Sequence, residues 1–293
     1  WGHPPQNPVP DPVRLFSRTM AHVLARRLVS MALLGTGACA LRSHQAAREA
    51  DPCTCKNWKQ TYGSGSVRCG TSNEFFQVTS LHKLVDWQVG AAQVDLGDQW
   101  CTHFFEAVDD NVCINVAMDN DMGQWCYVDA ACSNLTGGGE VNAQLSWKSC
   151  SAERDRTLRS YRPDELQQFA LAHGLEIGMT GKMSYRLAPY KWKYVSAFWD
   201  ADLENITSVP STLVGASPEG IRAYLKPRWG KRHRDIDEDM RSELQRIVDS
   251  GVPTVFDTAK DKHPPHVIVQ GRSVYVAIPS ERAAVVCVTG CRH

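Results

Sequence analysis

Asp119 and Asp121 stand one residue apart, and Trp125, Tyr127 and Trp147 follow them. In an extended segment side chains alternate, so both carboxylates would point to one face. Aromatic faces beside such a pair would form a trough for an alkyl-ammonium. The alkyl stem packs on the rings and the nitrogen meets the carboxylates. This is the chemistry of recognising a lysine side chain. The alternative is a solvated turn, because Asp and Asn favour turns. A calcium loop is disfavoured, since Asp119-Asn120-Asp121 lacks the later acidic ligand at EF-hand spacing.

The five residues sit inside a cysteine framework of Cys53, Cys55, Cys69, Cys101, Cys113, Cys126, Cys132 and Cys150. That density is typical of a disulfide scaffold. A zinc site would favour C-x2-C pairs, and Cys53-Thr54-Cys55 is too tight for that pattern. No metal is expected. The pairing is not readable from spacing. Trp58, Trp87, Trp100, Trp125 and Trp147 all fall in this stretch. In a small disulfide domain such aromatics usually supply the core, which competes with a ligand role for each of them. Downstream, Cys287 and Cys291 would be too far apart to bond in a continuous strand. A turn at Thr289-Gly290 would let them close a small loop.

The stretch 111–150 contains Cys113-Ile114-Asn115, Asp119-Asn120-Asp121, Gly123-Gln124-Trp125-Cys126-Tyr127 and Trp147-Lys148-Ser149-Cys150, in that order. It resembles the second half of a kringle domain, with fibronectin type II modules as a lesser match. The resemblance implies Asp119 and Asp121 as the anionic centre of a lysine site, with Trp125, Tyr127 and Trp147 as its aromatic walls. A Cys113–Cys150 bridge would follow the kringle pairing. The resemblance covers about 40 residues. The insertion with Cys132, the absence of a final cysteine after Cys150, and Ser146 where a basic residue often stands all depart from the kringle pattern.

Other candidates carry less. Asn134-Leu135-Thr136 and Asn205-Ile206-Thr207 are N-glycosylation sequons, expected at Asn134 and Asn205 in a secreted chain. Asp200-Ala201-Asp202 resembles the metal-binding pair of nucleotide-sugar transferases, but a loop is favoured. His263-Pro264-Pro265-His266 reads as a loop entering a strand. Lys226–Arg234 is a basic run, either solvated or suited to an acidic surface. No nucleophile elbow, P-loop or zinc-protease motif occurs, so no catalytic residue and no cofactor are expected.

The elements that must position these groups divide the chain. The 32 basic and 32 acidic residues cancel, and that balance argues against a nucleic-acid partner. The zero resolves into net +3 over residues 1–40, −6 over 41–150 and +3 over 151–293. With 43% hydrophobic residues, a core can be buried and general disorder is excluded. Residues 1–19 read as an upstream, non-native segment. Residues 20–40 have the three-part layout of a signal peptide: Arg26-Arg27, an apolar run, then Ala38-Cys39-Ala40. That run is too short to cross a bilayer, and no transmembrane segment is expected.

The fold expectation is a small disulfide-rich, mostly irregular or β module over 53–150, followed by an α+β domain over 160–293. In the first, Thr102–Phe105 and Phe75–Val78 could form short strands, Leu81–Val89 a strand or one helical turn, and the triple glycine 137–139 reads as a flexible tip. Ser151–Arg162 reads as a charged linker. In the second, helices are expected from Pro163 to Gly174, from Ser217 to a stop at Pro227, and over Asp235–Ser250. Strands are expected at Tyr185–Phe198, Thr254–Asp257, His266–Gln270, Ser273–Ile278 and Ala283–Val288.

The function that follows is a secreted, non-catalytic binding protein whose module recognises basic, lysine-like groups on a protein or glycan surface. The alternative is a secreted enzyme with its site in residues 151–293. On the leader, the expected outcome is a mature chain beginning at Leu41. Mass spectrometry of the N-terminal peptide of the secreted product checks this, and an intact Met20 start would overturn it.

Overall fold

The computed structural model describes residues 51–74, 97–116, 123–229, 236–258, 265–280 and 282–291. The proposed leader, the strand expectations at Phe75–Val78 and Leu81–Val89, Trp87, Asp119, Asp121 and His263 lie outside the described residues. Residues 49–293 form one compact unit.

The disulfide-rich part is built on a four-stranded antiparallel sheet of order β1-β2-β4-β3. The strands are β1 (Ile114–Asn115), β2 (Gln124–Asp129), β3 (Gly139–Asn142) and β4 (Leu145–Ser149). Helix α1 (Trp58–Gly63) starts where the Asn57 side chain accepts from the Gln60 N–H, a standard N-cap. The Thr102–Phe105 expectation is corrected: these residues end a π-helical segment, Gly97–Phe105. That winding buries Phe104 and Phe105 completely. The triple glycine is no free tip either. A Cβ on Gly138 would lie 2.0 Å from the Trp147 carbonyl oxygen, so only glycine lets this chain cross β4.

The second sheet runs β5-β6-β7-β8-β9, with only the β5–β6 pair parallel. Its strands are β5 (Arg186–Leu187), β6 (Thr254–Asp257), β7 (His266–Gln270), β8 (Ser273–Ile278) and β9 (Ala284–Thr289). Their Val and Ile rows are buried on both faces, which explains runs rather than strict alternation. Helix α2 (Pro163–His173) begins with Pro and a Glu165 carboxylate that accepts from the Arg162 N–H at 2.8 Å. It ends at Gly174 with φ 66°. Next come α3 (Ile177–Ser184), α4 (Trp192–Val195), α5 (Pro218–Trp229) and α6 (Glu238–Ser250).

Three expectations fail here. Tyr185–Phe198 is not a long strand: after β5, Pro189 interrupts the run, and the chain turns into α4 and a 3-10 turn at Ser196–Trp199. Helix α4 and the turn set Trp192 and Trp199 edge-on against Phe256, with centroids 5.8 and 5.3 Å away. Pro227 does not stop α5, because the last turn carries Trp229 into the core, where its indole N–H donates to the Ala201 carbonyl at 3.0 Å. Residues 151–162 are not a free linker. Cys113 donates to the Arg156 carbonyl, Leu158 donates back to Cys113, and Leu158 is fully buried.

One apolar cluster therefore draws on both stretches, from Cys55 and Trp58 to Ala277 and Val285. A second fills the opposite face of the five-stranded sheet, around Trp192, Trp229 and Leu244. The seam between the sheets is polar. Asn115 Nδ2 donates to the carbonyls of Lys182 (2.9 Å) and Tyr185 (2.8 Å). Gln124 Nε2 donates to Asn115 Oδ1 (3.0 Å) and to the Ser184 carbonyl (3.1 Å). Arg159 closes the network through its N–H to Gln124 Oε1 and its guanidinium to Asn115 Oδ1.

Removing one member strands buried carbonyls. Asn115→Ala is expected to destabilise the protein by about 2–3 kcal/mol, against less than about 0.5 kcal/mol for an exposed control such as Gln144→Ala. Urea denaturation followed by Trp fluorescence checks this.

Candidate functional site

The five disulfides account for all ten cysteines from Cys53 onward: Cys53–Cys132, Cys55–Cys126, Cys69–Cys101, Cys113–Cys150 and Cys287–Cys291. Cys55 Sγ and Cys113 Sγ touch at 3.5 Å, so two bridges stack behind β2. Among the described residues, no helix is long and apolar enough to cross a membrane.

The aromatic walls of the proposed trough are corrected by burial. Trp125 is 0% and Tyr127 1% exposed, so neither ring face is open to a ligand. They pack edge-on at 4.9 Å from each other, and Trp58 lies 4.9 Å from Trp125. Trp147 faces Tyr127 across β2 and β4 and is half-buried. The carboxylates meant to complete the trough, Asp119 and Asp121, lie outside the described residues. Asn134 and Asn205 are both exposed, as a sequon requires.

Among the described residues, two neighbouring surface clefts open on the disulfide module. The larger, of about 570 Å³, is lined by Asp51, Lys56, Asn57, Gln60, Asp129 and Gln144 with neighbouring hydroxyl residues. Its floor is clamped at Thr54 and Cys55, because the bridges Cys53–Cys132 and Cys55–Cys126 flank Thr54 and tie this irregular segment to β2 and the loop after it. The Ala131 N–H and the Lys56 ammonium, 3.1 Å away, hold the Asp129 carboxyl below its usual range. The smaller cleft, of about 260 Å³, lies beside it and includes Lys148 and Asp155. Those two form a buried ion pair at 2.6 Å.

Two buried ionisable clusters lay outside the sequence expectations. Glu74 is fully buried and accepts from Tyr127 Oη (2.5 Å), Tyr62 Oη (3.2 Å) and the Ser72 N–H (2.8 Å). Burial pushes its carboxyl up, against the pull of these donors. It anchors the aromatic core from below. In the second sheet, Lys182 of α3 lies 3.1 Å from Asp257 Oδ1, and His266 Nδ1 lies 3.2 Å from the same oxygen. His266 Nδ1 and Asp257 Oδ1 are in close polar contact without meeting full hydrogen-bond geometry. Burial pushes the Asp257 carboxyl up, but His266 and the Lys182 charge outweigh it and hold it low. Burial pulls the His266 imidazole down, and the Lys182 charge adds to this against the opposing pull of Asp257. His266 is therefore harder to protonate in the folded protein than a free imidazole. Nothing local in the sequence marks either cluster: Glu74 and Lys182 stand among ordinary neighbours, and only the strand pairing of Asp257 with His266 brings that pair together.

No known family, no curated sequence and no solved structure matches this chain.

A histidine that folding makes harder to protonate takes up its proton more readily in the unfolded chain. Stability is thus complete above the ordinary value of 6.5 and falls as pH drops below it. His173, also pulled down by burial, acts in the same direction. The expected outcome is a melting temperature that declines between pH 7 and pH 5, with a shallower decline in His266→Gln. Differential scanning fluorimetry across that range checks it, and an unchanged slope in the variant would refute the assignment.

Proposed function

We propose that this chain is a secreted binding protein and that its disulfide-clamped cleft receives amine- and hydroxyl-bearing groups of a glycan surface. The observation that carries this reading is the cleft of about 570 Å³, with Asp51 and the Lys56-paired Asp129 among amides and hydroxyls on a bridged floor. Carboxylates accept charge-assisted hydrogen bonds from ammonium groups, and amides such as Asn57, Gln60 and Gln144 pair with sugar hydroxyls. The preformed walls limit the ordering cost of binding. Net −6 over residues 41–150 favours a basic ligand. This keeps the expected preference for basic groups and moves it from the buried aromatics to an open polar surface.

The setting is supported by five disulfides, which persist in oxidising compartments, and by two exposed sequons. The Cys113–Cys150 bridge agrees with the pairing implied by the kringle resemblance of residues 111–150.

A second reading, an enzyme with its chemistry in residues 151–293, is favoured by one observation, the convergence of Lys182, Asp257 and His266. It ranks below binding because all three side chains are less than a tenth exposed.

The test is calorimetric titration with chitosan oligosaccharides and, in parallel, their fully N-acetylated counterparts. Saturable binding of the amine-bearing series is expected, with about tenfold weaker binding for Asp129→Asn, the loss of one charged acceptor. Equal binding of both series, or none, would overturn the proposal.

A further inference from the structure

The five disulfides differ in setting. Each bridge of the first half has at least one buried cysteine and joins residues 32 to 79 positions apart. Cys287–Cys291 spans only 4 positions and is half-buried at both ends. A bridge stabilises chiefly by restricting the unfolded chain, and the restriction grows with loop length. The shortest loop therefore depends least on its bridge for folding.

The turn that carries it is shaped by other means. Gly290 has φ 69°, and a Cβ there would lie 3.1 Å from the Arg272 carbonyl oxygen. Ser273 Oγ donates to the Gly290 carbonyl at 2.6 Å. Cys287 is held in β9 by pairing with Tyr275 of β8. Strand pairing at Cys287 and the turn at Gly290 thus bring the two cysteines together independently of the S–S bond. A receptor for a freed thiol proton is also in place: Cys291 Sγ lies 3.4 Å from the Thr289 carbonyl oxygen and 3.6 Å from that of Val274. Finally, the bridge faces a groove. A depression of about 270 Å³ is lined by both cysteines together with Arg162, Pro210, Tyr275 and Val285.

We propose that Cys287–Cys291 is a thiol–disulfide exchange site for dithiols, opening and reclosing on the folded protein. A thiolate of the dithiol enters the groove and attacks one sulfur. A mixed disulfide forms, the Cys287–Cys291 bond breaks, and the released thiolate takes a proton from water. The second thiol of the dithiol, once deprotonated, attacks the mixed disulfide and releases the other cysteine as a thiol. The dithiol loses two electrons as a cyclic disulfide forms, and the bridge gains two. An oxidised dithiol drives the reverse sequence.

The full chain, oxidised, is exposed to graded dithiothreitol in one arm and to a Cys-x-x-Cys protein dithiol of the thioredoxin type in the other. Free thiols are alkylated at intervals and located by peptide mass spectrometry, with far-UV circular dichroism recorded in parallel. Cys287 and Cys291 are expected to be labelled together about tenfold sooner than any other pair, with the spectrum unchanged. Removing the reductant and adding oxidised dithiothreitol should close the bridge again. A faster reaction in the protein arm identifies a protein dithiol as the source, and one confined to dithiothreitol identifies a small one. The double variant Cys287→Ser/Cys291→Ser should keep its spectrum and lose the early label. Earlier labelling of Cys69 and Cys101, loss of structure together with the Cys287–Cys291 bridge, or failure to reclose would overturn the proposal.

Discussion

Two buried carboxamides, Asn115 and Gln124, satisfy the backbone carbonyls at the end of α3, and the rest of the molecule is arranged around that contact. A helix leaves its last carbonyls without intrahelical donors. At an exposed end water supplies them. The end of α3 is buried, so the donors have to come from the protein. The disulfide-rich sheet provides them from β1 and β2, and Arg159 satisfies the acceptor side of the same amides. The bridges Cys113–Cys150 and Cys55–Cys126 hold those two strands in place. With its end fixed, α3 directs Lys182 toward Asp257 and His266, and the chain enters β5 at Arg186. An apolar seam would have tolerated sliding. This one does not, because a shift of one residue would leave several buried polar groups unpaired.

The same economy decides how the aromatics are used. Burying a Trp removes roughly 150–250 Å² from water, worth about 4–6 kcal/mol at 25 cal/mol per Å². An exposed ring facing an ammonium is worth about 0.5–1 kcal/mol. In a module with short strands the first term dominates. Trp58, Trp125 and Tyr127 become the core, and Glu74 is drawn in beneath them to receive the tyrosine hydroxyls. The surface left for recognition is then polar. It consists of acids, Lys56, amides and hydroxyls around Cys55, on a floor tied down by two bridges.

Much of the second half was legible. Helix α6 ends at Ser250 as expected, before the left-handed Gly251; its start, expected at Asp235, falls at Glu238 after the Asp237 cap. Both ends of α2 follow from Pro163 and Gly174, residues whose backbone preferences act locally. The β-branched runs at Thr254–Asp257, His266–Gln270 and Ser273–Ile278 became strands for the same reason, and the disulfide-rich character of the first half follows from cysteine density. The failures share a cause. The aromatic run after Tyr185 has strand composition, but Trp192 and Trp199 found a better packing surface on Phe256 than a ladder would have offered. The aromatics near Asp119 and Asp121 carried the types of a lysine trough, yet their environment depends on Trp58 and Phe105, which approach only after folding.

The sequence by itself determined what is encoded at short range: helix caps, strand runs, the mixed character of the fold and the presence of many cysteines. The tertiary structure alone decided which cysteines pair, which aromatics are lost to the core, and which charges meet. The seam shows why. Asn115 and its acceptors stand 67 and 70 residues apart. Over such a separation no periodicity links the partners, and only the closing of the chain makes their hydrogen bonds obligatory.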